Sequence, residues 1–230
     1  DFFSNDSNQG GTVDANTLFA TNGNPAVYNG ILYIADYNNS RVLGFNSIPS
    51  ANNVPADFVL GQVDFTSNSA GTSAVKFNRP STVAIGSEKM ALADSSNNRV
   101  LLWNTVPTSG NVAADIVLGQ PDITTSLSGC IPTRLSSPAA VSIGGGKLVI
   151  ADYSNHRVLI YNTIPSVNTA SPDLVIGQAT YTNCVANDDN QDGASDVVSA
   201  RTFDSPNGVW TDGIRLVVSD SNNNRVLIWN

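Results

Sequence analysis

An acidic stretch at positions 188–196 contains the side chains of this chain that are best suited to metal chemistry. Oxygen-bearing side chains alternate along it: Asp188, Asn190, Asp192 and Asp196. Gly193 follows, and alternating oxygen ligands before a glycine turn are typical of the opening of a calcium loop. Ser199 stands where such a loop places a bidentate glutamate. The stretch therefore predicts either a calcium site or an acidic loop that faces solvent.

Four aspartates recur at equivalent positions, and each precedes an arginine by five residues. The pairs are Asp36 and Arg41, Asp94 and Arg99, Asp152 and Arg157, and Asp220 and Arg225. A ring of four carboxylates could bind a cation or act in acid–base catalysis. Because each carboxylate has its own arginine across a short hairpin, we instead predict charge-assisted contacts that stabilise the turns. The asparagine two residues before each arginine suits a left-handed turn position.

Two cysteines, Cys130 and Cys184, fall in connections of neighbouring sequence units. A disulfide between them requires α-carbons within about 7 Å, a distance that the sequence does not supply. We predict a disulfide, with two free thiols in a reducing compartment as the alternative.

The composition disfavours catalysis. His156 is the one histidine and Glu88 the one glutamate, so a histidine-rich zinc site cannot be assembled. The chain contains neither a G-x-S-x-G elbow nor a convincing Ser–His–Asp set. We therefore expect a protein that is not an enzyme, in which His156 is an exposed turn residue.

The Asp–Arg pairs belong to a segment of the form A-D-x-x-N-x-R-V-L that occurs four times. Its arginines follow one another at 58, 58 and 68 residues (41 to 99, 99 to 157 and 157 to 225). A period of this size indicates one supersecondary unit stacked on copies of itself. The approximate units are 1–62, 63–120, 121–178 and 179–230, within a single domain or domain fragment, 1–230.

The second unit contains four short runs rich in β-branched and aromatic residues, at 81–85, 89–94, 99–104 and 115–120. Gly, Asn, Ser and Pro separate the runs, as expected of strands joined by turns. Several runs are apolar on both faces and need cover on both sides. Radially stacked four-stranded antiparallel blades meet this need, so we predict an all-β fold, a β-propeller.

The repeated features resemble those of NHL-repeat propellers over essentially the whole chain. They are an opening proline, a strand that ends in Ala-Asp, an N-x-R-V turn and a V-L-G-Q closing strand. The resemblance implies a ring of about six blades, of which four units are visible here. It also admits enzymes, since some similar propellers are metal-dependent lyases or hydrolases.

The fourth unit has no V-L-G-Q segment. Residues 1–4 align with residues 64–67, which follow a closing strand, and so they do not provide one. The strand that contains Val226 and Trp229 is therefore predicted to have an unpaired, apolar edge. Three interpretations remain: a longer chain, a strand supplied by another molecule, or a stable open arc.

The charge distribution limits the classes of partner. The formal net charge is −8 and only 11 residues are Lys or Arg, without clustering, which disfavours nucleic acid and anionic membranes. No apolar run reaches the roughly 18 residues of a membrane span, so membrane insertion is not expected. A surface rich in Asn, Ser, Thr and Gly favours an extracellular or cell-envelope location, in a bacterium.

These observations lead to a non-catalytic extracellular interaction module that presents propeller loops to a protein or a glycan. The alternative is a structural subunit of an extracellular filament or surface assembly, joined by strand or disc-face contacts. A lyase-type or hydrolase-type enzyme is the third candidate. Calcium at 188–196 is the one cofactor considered. Trp210, in a first strand, is either a stacking platform for a ligand or, as we favour, a core residue.

Overall fold

The computed structural model describes residues 6–230 and shows the predicted all-β fold. Residues 1–5, including the segment aligned with residues 64–67, lie outside the described residues. Helical structure in the described part consists of 3₁₀ turns, and none is long and apolar enough to cross a membrane. These turns are Ser7–Gly10, Ser95–Asn97, Tyr153–Asn155 and Ser221–Asn223.

Four antiparallel sheets, which we call blades 1 to 4, form the fold. Blade 1 contains β1 (Ala26–Tyr28), β2 (Ile31–Asp36), β3 (Arg41–Phe45) and β4 (Phe58–Leu60). Blade 2 contains β5 (Pro80–Gly86), β6 (Lys89–Asp94), β7 (Arg99–Trp103) and β8 (Ile116–Leu118). Blade 3 contains β9 (Pro138–Gly144), β10 (Lys147–Asp152), β11 (Arg157–Tyr161) and β12 (Leu174–Ile176). Blade 4 contains β13 (Pro206–Thr211), β14 (Leu216–Asp220) and β15 (Arg225–Trp229).

Each blade is a meander in which consecutive strands are neighbours. The predicted strands agree with the observed ones, except that the closing strand is shorter than the sequence pattern. In blade 2 it ends at Leu118, because Gly119 adopts φ +85° and turns the chain away. A Cβ at this glycine would lie 2.6 Å from the Leu135 side chain, so only glycine fits.

The blades stack side by side through their faces. The inner strands β1, β5, β9 and β13 contact one another in succession, which produces an arc around a channel. Apolar clusters fill the spaces between blades 1 and 2, 2 and 3, and 3 and 4. Trp103 is only 1% exposed and meets Phe77 edge to face, with ring centroids 6.1 Å apart. Because both faces of β7 are covered, all five of its residues are buried.

The repeated Asp–Arg pair holds three segments of chain together, as blade 2 shows. The Nε of Arg99 donates to Asp94 at 2.7 Å, and both side chains are fully buried. The Nη2 of Arg99 donates to the carbonyls of Ser73 and Lys76 in the preceding connection, each at 2.9 Å. Its Nη1 donates to the carbonyl of Ile123 in the following connection. The arginines of blades 2 and 3 thus link their own hairpins to the connections before and after the blade.

All four predicted Asp–Arg ion pairs are present. The prediction for the neighbouring asparagine was wrong by one position. Positive φ occurs one residue later, at Ser40, Asn98, His156 and Asn224. The asparagine itself is buried in blades 1 to 3, and in blade 2 Asn97 donates to Asp94 at 2.8 Å. Its amide completes the hydrogen bonding of the buried carboxylate, which places it inside the turn.

The predicted cysteine pair forms a disulfide across neighbouring connections. Cys130 and Cys184 have α-carbons 6.3 Å apart and are separated by 54 positions in sequence. The bond therefore ties the connection between blades 2 and 3 to the connection between blades 3 and 4.

Removal of one partner of a buried pair should be costly. Burial raises the pKa of the Asp94 carboxyl, and Arg99 is the largest opposing influence. We expect Arg99→Leu to lower the free energy of unfolding by about 3–5 kcal/mol, because a buried carboxylate loses its counter-ion. The exposed pair between Arg201 and Asp189 provides the control, and Arg201→Leu should cost less than about 1 kcal/mol. Urea denaturation measures both, and equal losses would contradict the assignment.

Loss of the disulfide should destabilise the chain by up to about 4 kcal/mol, because the bond closes a long loop in the unfolded state. Differential scanning calorimetry of the Cys130→Ser/Cys184→Ser double variant should show a lower Tm than the native protein. Reductant should lower the native Tm to that of the variant and leave the variant unchanged. An unchanged Tm in oxidising buffer would contradict this role.

Candidate functional site

The inner strands surround a channel along the axis of the arc. The channel encloses a cavity of about 390 Å³. Its walls are the residues of β5, β9 and β13 that face the axis, together with residues 22–27. The opening prolines Pro80, Pro138 and Pro206 begin three of these strands. The repeat therefore brings equivalent positions from successive units to the same end of the channel.

A wider cavity of about 540 Å³ lies at the end of the channel where the inner strands begin. Most of its lining comes from two sets of repeat positions. One set directly follows an opening proline, and the other lies one or two residues after a turn aspartate. The lining residues are Asn22, Tyr37, Ser81, Ser95, Ser137, Ala139, Tyr153, Ser154 and Asn207. We call this cavity and the channel beneath it the axial funnel.

The axial funnel is electrically neutral. Among the described residues that line it, none is an aspartate, glutamate, histidine, lysine, arginine or cysteine. Hydrogen bonds between blades fix several of its hydroxyls: Ser95 donates to the Pro138 carbonyl at 2.6 Å and Ser81 to the Ala139 carbonyl at 2.7 Å. Such a surface can recognise uncharged polar groups, and the part of it that the structure describes offers a ligand hydroxyl and amide side chains but no ionised one.

Trp210 lies on β13 and lines the channel. Its side chain is 48% exposed, in contrast to the core position that we favoured from the sequence. Arg215 packs over the indole, with its guanidinium carbon 5.7 Å from the ring centroid. The repeat pattern placed this residue on the correct strand but did not show that its side chain is half-exposed.

The acidic stretch folds back on itself. Asp188 is fully buried, and its carboxylate accepts the backbone N–H groups of Asp192 and Gly193, both at 3.0 Å. Asp196 accepts the N–H groups of Asp189 and Asn190 at 3.1 Å. Within residues 6–230, no three His, Cys, Asp or Glu side chains converge as a metal site. Calcium binding at Asp188, Asn190, Asp192 and Asp196 remains a prediction.

The structure separates the residues that the sequence singled out. The four Asp–Arg pairs lie within the turns and do not line the axial funnel. Sequence reasoning missed Tyr37 and Tyr153, which stand directly after a turn aspartate. The equivalent residue in blade 2 is Ser95, so the change between tyrosine and serine at the first variable position of the repeated segment was the available signal.

His156 connects two blades. It is half-buried, and its Nδ1 accepts the backbone N–H of Ser205 in the next unit at 3.0 Å. Asn98 makes the same connection in blade 2, where its Oδ1 accepts the N–H of Ser137 at 2.8 Å. The expectation of an exposed turn residue was therefore incomplete, because the turn position is right but the side chain joins blade 3 to blade 4.

Acid should weaken this junction. Burial lowers the pKa of His156 below 6.5, although nearby Asp204 and Asp220 act in the opposite direction. Below pH 6.5 the unfolded chain therefore binds more protons than the folded chain, and stability falls as the pH decreases through this window. Protonation also removes the acceptor for the Ser205 N–H.

We expect the Tm of the native protein to fall more steeply than that of His156→Asn between about pH 7 and about pH 5. Asparagine is the matched replacement, since Asn98 fills the equivalent position without titrating. Differential scanning fluorimetry across this range measures the difference, and parallel curves would refute the prediction.

Comparison with known proteins supports the repeat assignment in the third unit. Residues 135–161, which include β9, β10 and the Asp152–Arg157 turn, match the family model of the NHL repeat. A search of curated proteins found no match.

Similar solved structures are distant. They include BamB from Moraxella catarrhalis (14% identity, TM-score 0.45, covering 90% of this chain and 42% of that one). They also include a catalytically inactive virginiamycin B lyase from Staphylococcus aureus with quinupristin (10% identity, TM-score 0.40, covering 89% of this chain and 68% of that one). A third is glutaminyl cyclase from Myxococcus xanthus (12% identity, TM-score 0.42, covering 95% of this chain and 95% of that one). The chain spans less than two thirds of the BamB chain.

The family match and the sheet order together describe the chain. Residues 135–161 match the NHL repeat, and the four blades share one plan.

Proposed function

We propose that this chain is a non-catalytic interaction module that binds an uncharged polar segment of a partner protein in the axial funnel. The observation that carries the proposal is the neutral, hydroxyl-rich and amide-rich lining of a funnel of this size. A funnel without charged groups favours partners that also lack charge, because an ionised group would lose its hydration without gaining a counter-ion.

The rigidity of the scaffold supports this proposal. The hydroxyls of Ser81 and Ser95 are held by carbonyls of the next blade, and both residues are less than 10% exposed. A preorganised surface loses little side-chain entropy when a ligand binds. Tyr37 is also positioned, since Arg79 packs over its ring at 5.9 Å.

An extracellular or cell-envelope location is part of the proposal. The disulfide between Cys130 and Cys184 supports it, because such bonds persist in oxidising compartments. The low content of charged residues, 13%, is consistent with the same location but has no mechanistic link to it.

A neutral glycan is the second candidate ligand. The half-exposed indole of Trp210 favours it, because a flat aromatic face beside hydroxyls and amides offers both apolar contact and hydrogen bonds. The two candidates share one site, and a binding screen separates them.

The test is a screen of the immobilised chain against a displayed peptide library and an array of neutral oligosaccharides. The tightest probe is then measured against Ser154→Asp/Asn207→Asp, which adds charge to two exposed positions at the mouth of the axial funnel. We expect at least about a tenfold loss of affinity, since each new carboxylate must be desolvated by the ligand.

Ile214→Asp is the control, because this residue is 85% exposed and does not line the axial funnel. The control should bind as the native chain does. Unchanged binding by the double variant would refute the assignment of the site, and turnover of a bound probe would refute the non-catalytic function.

A further inference from the structure

A groove of about 630 Å³ lies between blades 1 and 2, on the face that carries the hairpin turns. We call it the interblade groove. Phe19 and Asn38 line it from the side of blade 1, and Asn68, Asn78 and Arg79 line it from the connection between the blades. It has no lining residue in common with the axial funnel. Among the described residues of its lining, Arg79 alone carries a charge.

Arg79 departs from the repeat. It follows Asn78, whose backbone N–H donates to the turn aspartate of blade 2. The residues at this position in blades 1, 3 and 4 are Ala20, Ser137 and Ser205, and all four adopt a positive φ. Alanine and serine therefore satisfy the scaffold here, and the guanidinium of Arg79 is an addition that the repeated turn does not require.

The guanidinium of Arg79 lacks a carboxylate partner. Within residues 6–230 it forms no ion pair and donates no hydrogen bond. It packs instead over the ring of Tyr37, with its central carbon 5.9 Å from the ring centroid, a contact that positions the cation without supplying an oxygen acceptor. Six other arginines pair with an aspartate: Arg41, Arg99, Arg157, Arg201, Arg215 and Arg225.

Three amide side chains share the groove with this cation: Asn38, Asn68 and Asn78. In the described part of the chain, none of these amides is hydrogen-bonded to another residue. Each amide has donors and an acceptor, the combination that the C=O and N–H groups of an extended peptide need. Phe19, which is 40% exposed, adds an apolar surface. The lining therefore suits a peptide better than a bare ion.

The charge of the ligand follows from Arg79. A planar guanidinium pairs with a carboxylate through two parallel N–H···O bonds. One cation matches one negative charge, and the net charge of −8 on the chain disfavours a ligand with more, such as a phosphate dianion. Asn68 and Arg79 are exposed, so a segment can lie along the groove without ending in it.

We propose that the interblade groove binds an acidic segment of a partner protein, in which an aspartate or glutamate side chain pairs with Arg79. The amides of the groove hydrogen-bond to the backbone of the segment, and an apolar residue beside the acid packs against Phe19. This site goes beyond the proposed function, because the axial funnel selects uncharged groups and the groove selects one negative charge. Since the two sites have separate linings, the failure of one leaves the other to be tested.

The experiment is an NMR titration of the isotope-labelled chain with acetyl-Leu-Glu-Leu-amide, a peptide with one carboxylate. We expect saturable shifts of the Arg79 Nε–H signal and of the side-chain amide signals of Asn38, Asn68 and Asn78. Sodium chloride at about 0.5 M should weaken binding, because an exposed ion pair is screened. Acetyl-Leu-Gln-Leu-amide, the neutral peptide of the same shape, should bind at least about tenfold more weakly.

Variants of Arg79 test the assignment. Arg79→Gln should weaken binding of the acidic peptide at least about tenfold, since it removes the charge, and Arg79→Lys should bind with intermediate strength, since it keeps the charge without the planar fork. Both variants should keep the native Tm, because this side chain is exposed. Arg134→Gln is the matched control and should bind as the native chain does. Arg134 also lacks an aspartate partner within residues 6–230, and it does not line the groove.

Equal binding of the neutral peptide, or unchanged affinity of Arg79→Gln, would overturn the proposal. Two further probes test the source of the charge. Tighter binding of acetyl-Leu-Gln-Leu with a free terminal carboxylate would replace the acidic side chain by a chain terminus. Displacement of the acidic peptide by inorganic phosphate at a lower concentration than that of the peptide would replace the segment by a free anion.

Discussion

The buried contact between each turn aspartate and its arginine is the interaction on which the rest of the structure depends. The arginine has more N–H groups than one carboxylate can accept, so it also reaches carbonyls in the connections before and after its own blade. The aspartate is satisfied in turn by a backbone N–H and an asparagine amide. A buried charge pair stabilises a fold only when its remaining hydrogen bonds are also made. Here the connections before and after the blade make them, and they are thereby joined to the hairpin.

This arrangement explains why the axial funnel is uncharged. The charged groups of the repeat are used inside the turns, which leaves the inner strands to present serine and asparagine to the axis, and the residues directly after the turn aspartates to present tyrosine and serine. The neutral axial funnel is therefore a consequence of one repeated turn.

Several residues show where sequence reasoning was sufficient. The pairing of Asp94 with Arg99 followed from their spacing across a hairpin, and the strand order followed from the repeated apolar runs. The left-handed turn residue was misplaced by one position, because Asn97 and Asn98 are equally suited to it by type. Only the buried bond from Asn97 to Asp94 assigns the first to the interior and the second to the positive φ position. The contact of His156 with the next unit was also missed, because its partner Ser205 lies 49 positions away in the sequence.

The sequence by itself determined the all-β class, the four repeated units within these residues and the Asp–Arg turns. These features depend on local spacing and on a repeated pattern, which are visible in one dimension. The tertiary structure alone decided which hydroxyls meet at the axis, that the side chain of Trp210 is half-exposed, and that His156 joins blade 3 to blade 4. Such features depend on how blades approach one another, and contacts between residues about 50 positions apart are not encoded in the pattern of any single unit.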